Sequence, residues 1–184
     1  ELVMVAPDFL APYSGMIPGW LAGQYGFERT LVDFKGLCQR AGATLVKAHL
    51  LSLDPDRQQA LLSDGQSVSY DWLSVNVGST LKPPPSQTPI LAMRPLSTLK
   101  ARYEQWLAYW QQTNGAKPTM LTSVGGGAAG VESLLCIKHR LEQLRPDKPL
   151  RAQLITRGAT SLPGFATPAR RLALDALHRA DISL

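Results

Sequence analysis

The chain has 184 residues, of which 45% are apolar, and a net charge of +5. This composition suffices for one packed domain or two small ones. The basic excess suits anionic small molecules such as nucleotides, whereas no Lys/Arg-rich run with interleaved aromatic residues indicates nucleic-acid binding. No apolar run approaches the roughly 20 residues of a membrane span, and no signal peptide is visible.

The two cysteines, Cys38 and Cys136, are far apart in the sequence. Each lies in an apolar helical pattern, which is typical of a small buried hydrophobe. Neither belongs to a close pair, so the sequence predicts no metal site and no redox disulfide. A reducing, cytoplasmic compartment is therefore expected.

The first third of the chain predicts short elements of several kinds. Leu2–Val5 is an apolar run typical of a buried strand. Ala11–Gly23 mixes glycine, proline and large apolar residues, which indicates a loop packed on something flat and apolar, or else on the protein's own core. Leu31–Ala41 has helical spacing, and Thr44–Leu53 alternates as a strand does.

The middle of the chain predicts a meander, a strand and a long helix. Gln59–Leu62 and Gln66–Tyr70 flank the hairpin signal Asp64-Gly65. Asp71–Ser79 is interpreted as a further buried strand that ends at a glycine. Ser97 to about Gln112 predicts a helix with one aromatic face, which is expected to be a packing surface.

A glycine-rich stretch dominates the last third of the chain. Gly125, Gly127 and Gly130 form a G-x-G-x-x-G pattern between a predicted strand, Thr119–Val124, and a predicted helix, Gly130–Leu144. A dinucleotide-binding turn lies in this context, between a strand and a helix. Its glycines permit a tight turn, a close approach of the pyrophosphate and close packing of the helix. The alternative is a glycine turn that binds nothing.

A strand, helix and strand follow this turn. They are predicted at Ala152–Thr156, Pro168–Arg179 and Asp181–Leu184. Strands that alternate with helices are typical of a parallel sheet.

The order of these motifs resembles a known superfamily. Tyr13-Ser14-Gly15-Met16-Ile17-Pro18-Gly19 is followed by the meander, then by Asp71–Ser79, then by the glycine turn. This order resembles the two-dinucleotide-binding-domain flavoproteins of the pyridine nucleotide-disulfide oxidoreductase superfamily, and most closely their type II NADH dehydrogenase-like branch. Within that branch, the Tyr13–Gly19 loop is similar to the flavoprotein module found beside or fused to selenide,water dikinase (selenophosphate synthase).

The resemblance implies an α/β, Rossmann-like, three-layer fold with two dinucleotide-binding domains. Residues 1–115 would be a partial FAD-binding domain with a small antiparallel β-meander, and residues 116–184 a partial NAD(P)H-binding Rossmann domain. The fold is expected to be incomplete at both ends, because the FAD domain's own glycine turn and the closing segments of the family are absent from the sequence.

Site residues carried over from the family fall into three groups. Near the pyrophosphate the resemblance implies the three glycines of the turn. Glu132 would occupy the family's glutamate position near the nicotinamide, or else be a helix acid favoured by the dipole. Candidates for the flavin side are Tyr13, Ser14, Gly15, Pro18, Gly78 and Ser79.

Arg157 bears on the choice of nucleotide. At the end of the second strand the chain carries Thr156-Arg157, where an acid would accept the ribose 2′-hydroxyl of NAD. An arginine there can accommodate the 2′-phosphate of NADP. The alternative is a solvent-exposed loop arginine.

The resemblance therefore implies an FAD-dependent oxidoreductase that passes a hydride from NADH or NADPH to flavin and on to a quinone or other acceptor. The fragment alone is expected to be inactive. A second hypothesis is a degenerate Rossmann interaction module linked to selenium metabolism, and a third, weaker one is a sulfide- or quinone-reducing relative. Expected partners are the dinucleotides, an electron acceptor, selenophosphate synthase, a membrane surface in peripheral contact and a second copy of the chain.

Overall fold

The computed structural model describes residues 1–83, 85–112, 119–158 and 160–184. The chain forms two compact units. Unit 1 comprises Glu1–Ser14 with Phe27–Lys100, and unit 2 comprises Gly15–Gly26 with Ala101–Leu184. The predicted domain boundary after residue 115 lies outside the described residues and stays a prediction.

The described strands and helices differ widely in length, from 2 residues in the shortest strand to 17 in the longest helix. The strands are β1 (Val3–Ala6), β2 (Leu10–Pro12), β3 (Leu31–Asp33), β4 (Thr44–Lys47), β5 (Leu50–Asp54), β6 (Gln59–Leu62), β7 (Ser67–Ser69), β8 (Thr119–Val124), β9 (Leu150–Ile155) and β10 (Ile182–Ser183). The α-helices are α1 (Ile17–Leu21), α2 (Phe34–Ala41), α3 (Leu99–Gln112), α4 (Ala128–Leu144) and α5 (Thr167–Arg179).

The described part of unit 1 contains three small sheets. β1 and β4 are parallel, β2 and β3 are antiparallel, and β5, β6 and β7 form an antiparallel meander. The predicted meander is thus confirmed. The predicted strand over residues 44–53 instead divides into β4 and β5, which belong to different sheets. Between them Ala48 donates its N–H to Ala6, and the N–H of His49 bonds to the Ser63 side chain, so the chain leaves the first sheet there.

The helix predicted at residues 31–41 begins three residues later than expected. The Asp33 side chain accepts from the N–H of Gly36 at 3.0 Å, which makes it the N-cap of α2. The three residues before the helix pair with β2 instead. Gly42 ends the helix with a left-handed φ of +63°, which a glycine adopts readily.

The strand predicted at Asp71–Ser79 is wrong. The segment has no regular secondary structure, and its side chains are exposed, with Trp72 at 95% and Val77 at 74%. A strand with apolar residues on both faces requires neighbouring strands and a covering layer. In the described ranges no strand pairs with this segment.

The loop predicted at Ala11–Gly23 is also wrong in part. It contains β2, a 3-10 turn at Ser14–Met16 and the one-turn helix α1. Pro18 lies in the first turn of α1, where its missing N–H costs nothing. Trp20 and Leu21 are buried, so the apolar character of the segment reflects packing on the protein itself.

Unit 2 is built on a parallel three-stranded sheet of order β10-β9-β8. α4 connects β8 to β9, and α5 connects β9 to β10. Register runs from Thr119 opposite Leu150 to Val124 opposite Ile155. The core between sheet and helices is apolar and contains Val131, Leu134, Ala152, Leu154, Leu162, Leu177 and Ile182. The predicted α/β, Rossmann-like fold is thereby confirmed.

The aromatic face predicted for α3 is a packing surface, as expected. Tyr103 and Trp110 are buried. At the C-terminal end of the helix, Lys148 donates to the carbonyl of Trp110 at 3.2 Å, and Arg145 donates to that of Gln111 at 3.2 Å. These two cations satisfy carbonyls that a helix end leaves without intrahelical donors.

The packing of unit 2 predicts the effect of replacing leucine side chains of α5 by alanine. Leu177 is fully buried, whereas Leu172 on the same helix is 64% exposed. We expect Leu177→Ala to lower the free energy of unfolding by about 2–5 kcal/mol, because it leaves a cavity. Leu172→Ala should change it by no more than ~0.5 kcal/mol. Urea unfolding of the two variants measures the difference, and equal effects would contradict this core assignment.

Candidate functional site

The glycine turn begins where β8 ends. Gly125 follows Val124 with φ +123°, a conformation that residues with a Cβ rarely adopt. Its N–H donates to the carbonyl of Ile155 at 2.8 Å. The turn is therefore tied to the end of the neighbouring strand β9, at the carboxyl edge of the sheet.

Gly130 lies where α4 approaches this turn most closely. A Cβ on Gly130 would overlap the main-chain oxygen of Gly125. The hydroxyl of Ser123 also donates to the carbonyl of Gly130 at 3.3 Å. The geometry is that of the third glycine of a dinucleotide fingerprint, which lets the helix pack against its strand.

Gly127 is the N-cap of α4 and is exposed. A Cβ built on it would meet no described heavy atom within 4 Å. Its backbone is extended, with φ −77° and ψ 175°, and α4 has no side-chain cap among the described residues. The first N–H groups of a helix have no intrahelical partners, so an anion can approach them here.

The constraint at Gly126 was not predicted, because the motif treats this position as variable. A Cβ there would lie 2.5 Å from the Thr156 hydroxyl oxygen. The carbonyl of Gly126 accepts from the N–H of Leu162 at 2.6 Å. The loop after β9 is thus attached to the glycine turn. The only sequence signal for this was a glycine at a position where the motif does not demand one.

An open pocket of about 450 Å³ lies at the carboxyl ends of β9 and β10. It is lined by Gln153, Leu154, Ile155, Thr156, Gly158 and Leu184. Arg157 follows Thr156 directly and is exposed. This edge of a parallel sheet is where open α/β folds bind their ligands.

Glu132 is exposed on α4, one turn before Cys136. Burial, and to a smaller extent the Glu132 carboxylate, raises the pKa of the Cys136 thiol above its usual value. The carboxylate and the thiol therefore lie on the same face of the helix.

The flavin-side candidates lie on other elements. Tyr13 is 57% exposed, and its N–H donates to the carbonyl of Thr30 at 2.7 Å. Ser14 and Gly15 are exposed, whereas Pro18 is half-buried in α1. The remaining two, Gly78 and Ser79, lie on the irregular exposed segment of unit 1. Their role stays a prediction.

The described ranges contain neither a metal-binding cluster nor a membrane-spanning helix. Within the described ranges, no cluster of three or more His, Cys, Asp or Glu side chains could coordinate a metal ion. No helix in the same ranges combines the length and the apolar character needed to cross a bilayer.

No family model and no curated protein matches the chain. Solved structures do share its fold. NDH2 of Plasmodium falciparum in complex with NADH matches with a TM-score of 0.76 and 11% identity, over 100% of this chain and 42% of that one. The sulfide:quinone oxidoreductase of Aquifex aeolicus matches with a TM-score of 0.69 and 13% identity, over 100% of this chain and 44% of that one.

A third similar structure is an engineered water-forming NADPH oxidase bound to NADPH, derived from the Lactobacillus brevis NADH oxidase. It matches with a TM-score of 0.64 and 14% identity, over 100% of this chain and 40% of that one. The chain thus spans less than half the length of these structures. At such identities, what they share with it is the fold.

The contact at Gly130 generates a first prediction about the site. We expect Gly130→Ala to lower the free energy of unfolding by about 1–3 kcal/mol, because the methyl group forces α4 away from the turn. Gly127→Ala is the matched control, since open space surrounds that position. Thermal unfolding of both variants measures the contrast. A Gly130→Ala protein as stable as the control would refute the close approach.

The face of α4 shared by Glu132 and Cys136 generates a second prediction about the site. Because the thiolate is the reactive form, the rate of Cys136 alkylation should reach half its maximum at a pH above the usual thiol value. Glu132→Gln should lower this midpoint, since it removes a negative charge that opposes thiolate formation. Glu142→Gln, farther along α4, is the control. Iodoacetamide labelling followed by peptide mass spectrometry measures the midpoint in each protein. Equal midpoints in the unmodified chain and Glu132→Gln would show that Glu132 does not lie beside Cys136.

Proposed function

We propose that this chain carries the nicotinamide-nucleotide site, and part of the flavin site, of an FAD-dependent NAD(P)H oxidoreductase. The observation that carries the proposal is the open glycine turn at the N-terminus of α4. It combines a positive φ at Gly125, a close helix approach at Gly130 and free space at Gly127. This combination is what a bound pyrophosphate needs from a protein backbone.

The pyrophosphate would bind at Gly127. With no Cβ present, its phosphates can approach the main chain, and the first N–H groups of α4 donate to them. The 17-residue helix adds the positive end of its dipole. No acidic residue in the first turn of α4, all of which is described, opposes an anion.

The adenosine half would then lie over the pocket at the ends of β9 and β10, and NADPH is the better fit. Thr156 presents no carboxylate to a ribose 2′-hydroxyl, whereas the exposed Arg157 can pair with a 2′-phosphate. In the similar NADPH oxidase, an adjacent aspartate and alanine were replaced by alanine and arginine. That dipeptide resembles Thr156-Arg157 in lacking the acid and supplying the arginine.

Glu132 is proposed to lie near the nicotinamide, because it extends from α4 one turn beyond the glycine turn. Its role would be to orient the nicotinamide. Bound FAD would supply the hydride-accepting chemistry, as flavin cofactors do. The chain's own residues bind and orient the nucleotide.

The flavin side is proposed to include Tyr13, Ser14, Gly15 and Pro18, with Gly78 and Ser79. As described, most of these residues are exposed. We therefore expect this chain alone to bind nicotinamide nucleotides and to bind FAD poorly. The proposed division into residues 1–115 and 116–184 assigns these groups to the FAD part and the glycine turn to the NAD(P)H part.

The remaining partners are proposed on the motifs alone. A quinone or another electron acceptor would reoxidise the flavin of the complete protein, in the cytoplasm or at a membrane surface. Selenophosphate synthase is the partner that the Tyr13–Gly19 loop suggests. Self-association would add a second copy of the chain. Flavin absorbance and NADPH oxidation with an artificial quinone test the activity of the complete protein.

Calorimetric titration of the chain with NADPH and NADH tests the nucleotide site directly. We expect NADPH to bind more tightly than NADH. Gly127→Ala should weaken NADPH binding at least about tenfold, or 1.4 kcal/mol, because its methyl group occupies the space that the phosphates need. Its free energy of unfolding should fall by no more than about 1 kcal/mol, because alanine is a poorer N-cap than glycine. No heat with either nucleotide would overturn the proposal and favour a non-catalytic interaction module.

A further inference from the structure

The segment Gly15–Gly26 is distant in sequence from the rest of unit 2, yet it belongs to that unit. It contains the second part of the Tyr13–Gly19 motif and the helix α1, which packs on α4. No strand pairing holds it within the described residues. Its attachment depends on side chains.

Tyr103 of α3 makes the first attachment. Its ring is 3% exposed, and its hydroxyl donates to the carbonyl of Leu21 at 2.7 Å. The same ring meets Trp20 edge-on, with centroids 5.0 Å apart and an interplanar angle of 71°. One side chain thus provides both a buried hydrogen bond and an aromatic contact to the end of α1.

Tyr25 lies within the segment and fixes its internal fold at the other end of α1. Its hydroxyl donates to the carbonyl of Met16 at 2.7 Å. The phenol packs on Gly19, where a Cβ would overlap the hydroxyl oxygen. The glycine of the motif is therefore required by the position of Tyr25.

Arg140 of α4 closes the segment. Its guanidinium packs on Gly23, where a Cβ would lie 2.7 Å from Nη1. Gly23 has φ +78°, so its backbone conformation disfavours any residue with a Cβ. The segment is thus fixed to the same helix whose N-terminus forms the glycine turn.

We propose that Tyr103 and Tyr25 are positioning residues for the motif segment Gly15–Gly19: Tyr103 holds it on the nucleotide-binding unit from α3, and Tyr25, inside the segment, fixes its internal fold. This inference rests on the proposed function, in which that segment borders the flavin. A segment with three glycines between residues 15 and 23 has many alternative conformations. The two hydroxyls restrict it by fixing the carbonyls at both ends of α1. The motif then keeps a constant geometry relative to α4 and the nucleotide it would bind.

Hydrogen exchange of the chain tests the attachment without any ligand. The amides of Ala22, Gly23 and Gln24 donate to carbonyls within the segment. Tyr103→Phe keeps the ring and removes the hydroxyl, so we expect these amides to exchange about tenfold faster, while those of β8 and β9 stay unchanged. Tyr109→Phe makes the same chemical change at a half-exposed ring of the same helix and should have no such effect.

Tyr25→Phe provides an independent test, because it removes the hydroxyl at the opposite end of α1. It should accelerate exchange in the same segment whether or not Tyr103→Phe folds, because the bond from Tyr25 to Met16 is internal to the segment. Faster exchange confined to residues 15–26 supports the inference. Unchanged exchange in both variants, or uniform acceleration across unit 2, overturns it.

The complete, flavin-loaded protein tests the functional part. Each variant should lower kcat about tenfold with NADPH while KM changes less than twofold, because nucleotide binding at the glycine turn is intact. The flavin absorbance maximum should also shift. Unchanged kcat and absorbance, with faster exchange in the segment, would overturn the positioning role. Failure of the unmodified chain to bind either nucleotide would instead refute the proposed function and leave the exchange result interpretable.

Discussion

The approach of α4 to the glycine turn is the contact on which the rest of unit 2 depends. Gly130 packs on the main-chain oxygen of Gly125, and Gly125 in turn bonds to the end of β9. A side chain at Gly130 would separate helix from strand. With helix and turn in contact, the N-terminus of α4 lies at the carboxyl edge of the sheet, where its free N–H groups face the solvent.

The same helix also packs against a segment that is distant in sequence, Gly15–Gly26. One end of α4 presents the candidate phosphate site, and Arg140 near its other end packs on Gly23. Tyr103 completes this support from α3. Buried carbonyls such as that of Leu21 require donors, and a tyrosine can reach one across a helix interface without burying a charge. The candidate phosphate site and the motif segment thus share one helix.

The strongly periodic part of the chain was predictable, and the weakly periodic part was not. β8, α4, β9 and α5 follow directly from strand-like and helix-like spacing around the glycines. Asp71–Ser79 has an equally apolar pattern but forms no strand, because such a pattern indicates burial only where neighbouring strands exist. In Ala11–Gly23, glycine and proline indicated a loop, yet packing of Trp20 stabilises a short helix there.

By itself, the sequence determined the alternation of strands and helices and the positions of Gly125, Gly127 and Gly130, because spacing and glycine geometry act over a few residues. Only the tertiary structure showed that Gly126 is packed against Thr156, and that Tyr103 bonds to a carbonyl 82 positions earlier. These contacts join residues that no local pattern connects. Their stability comes from burial and hydrogen bonding that exist only once the chain has folded.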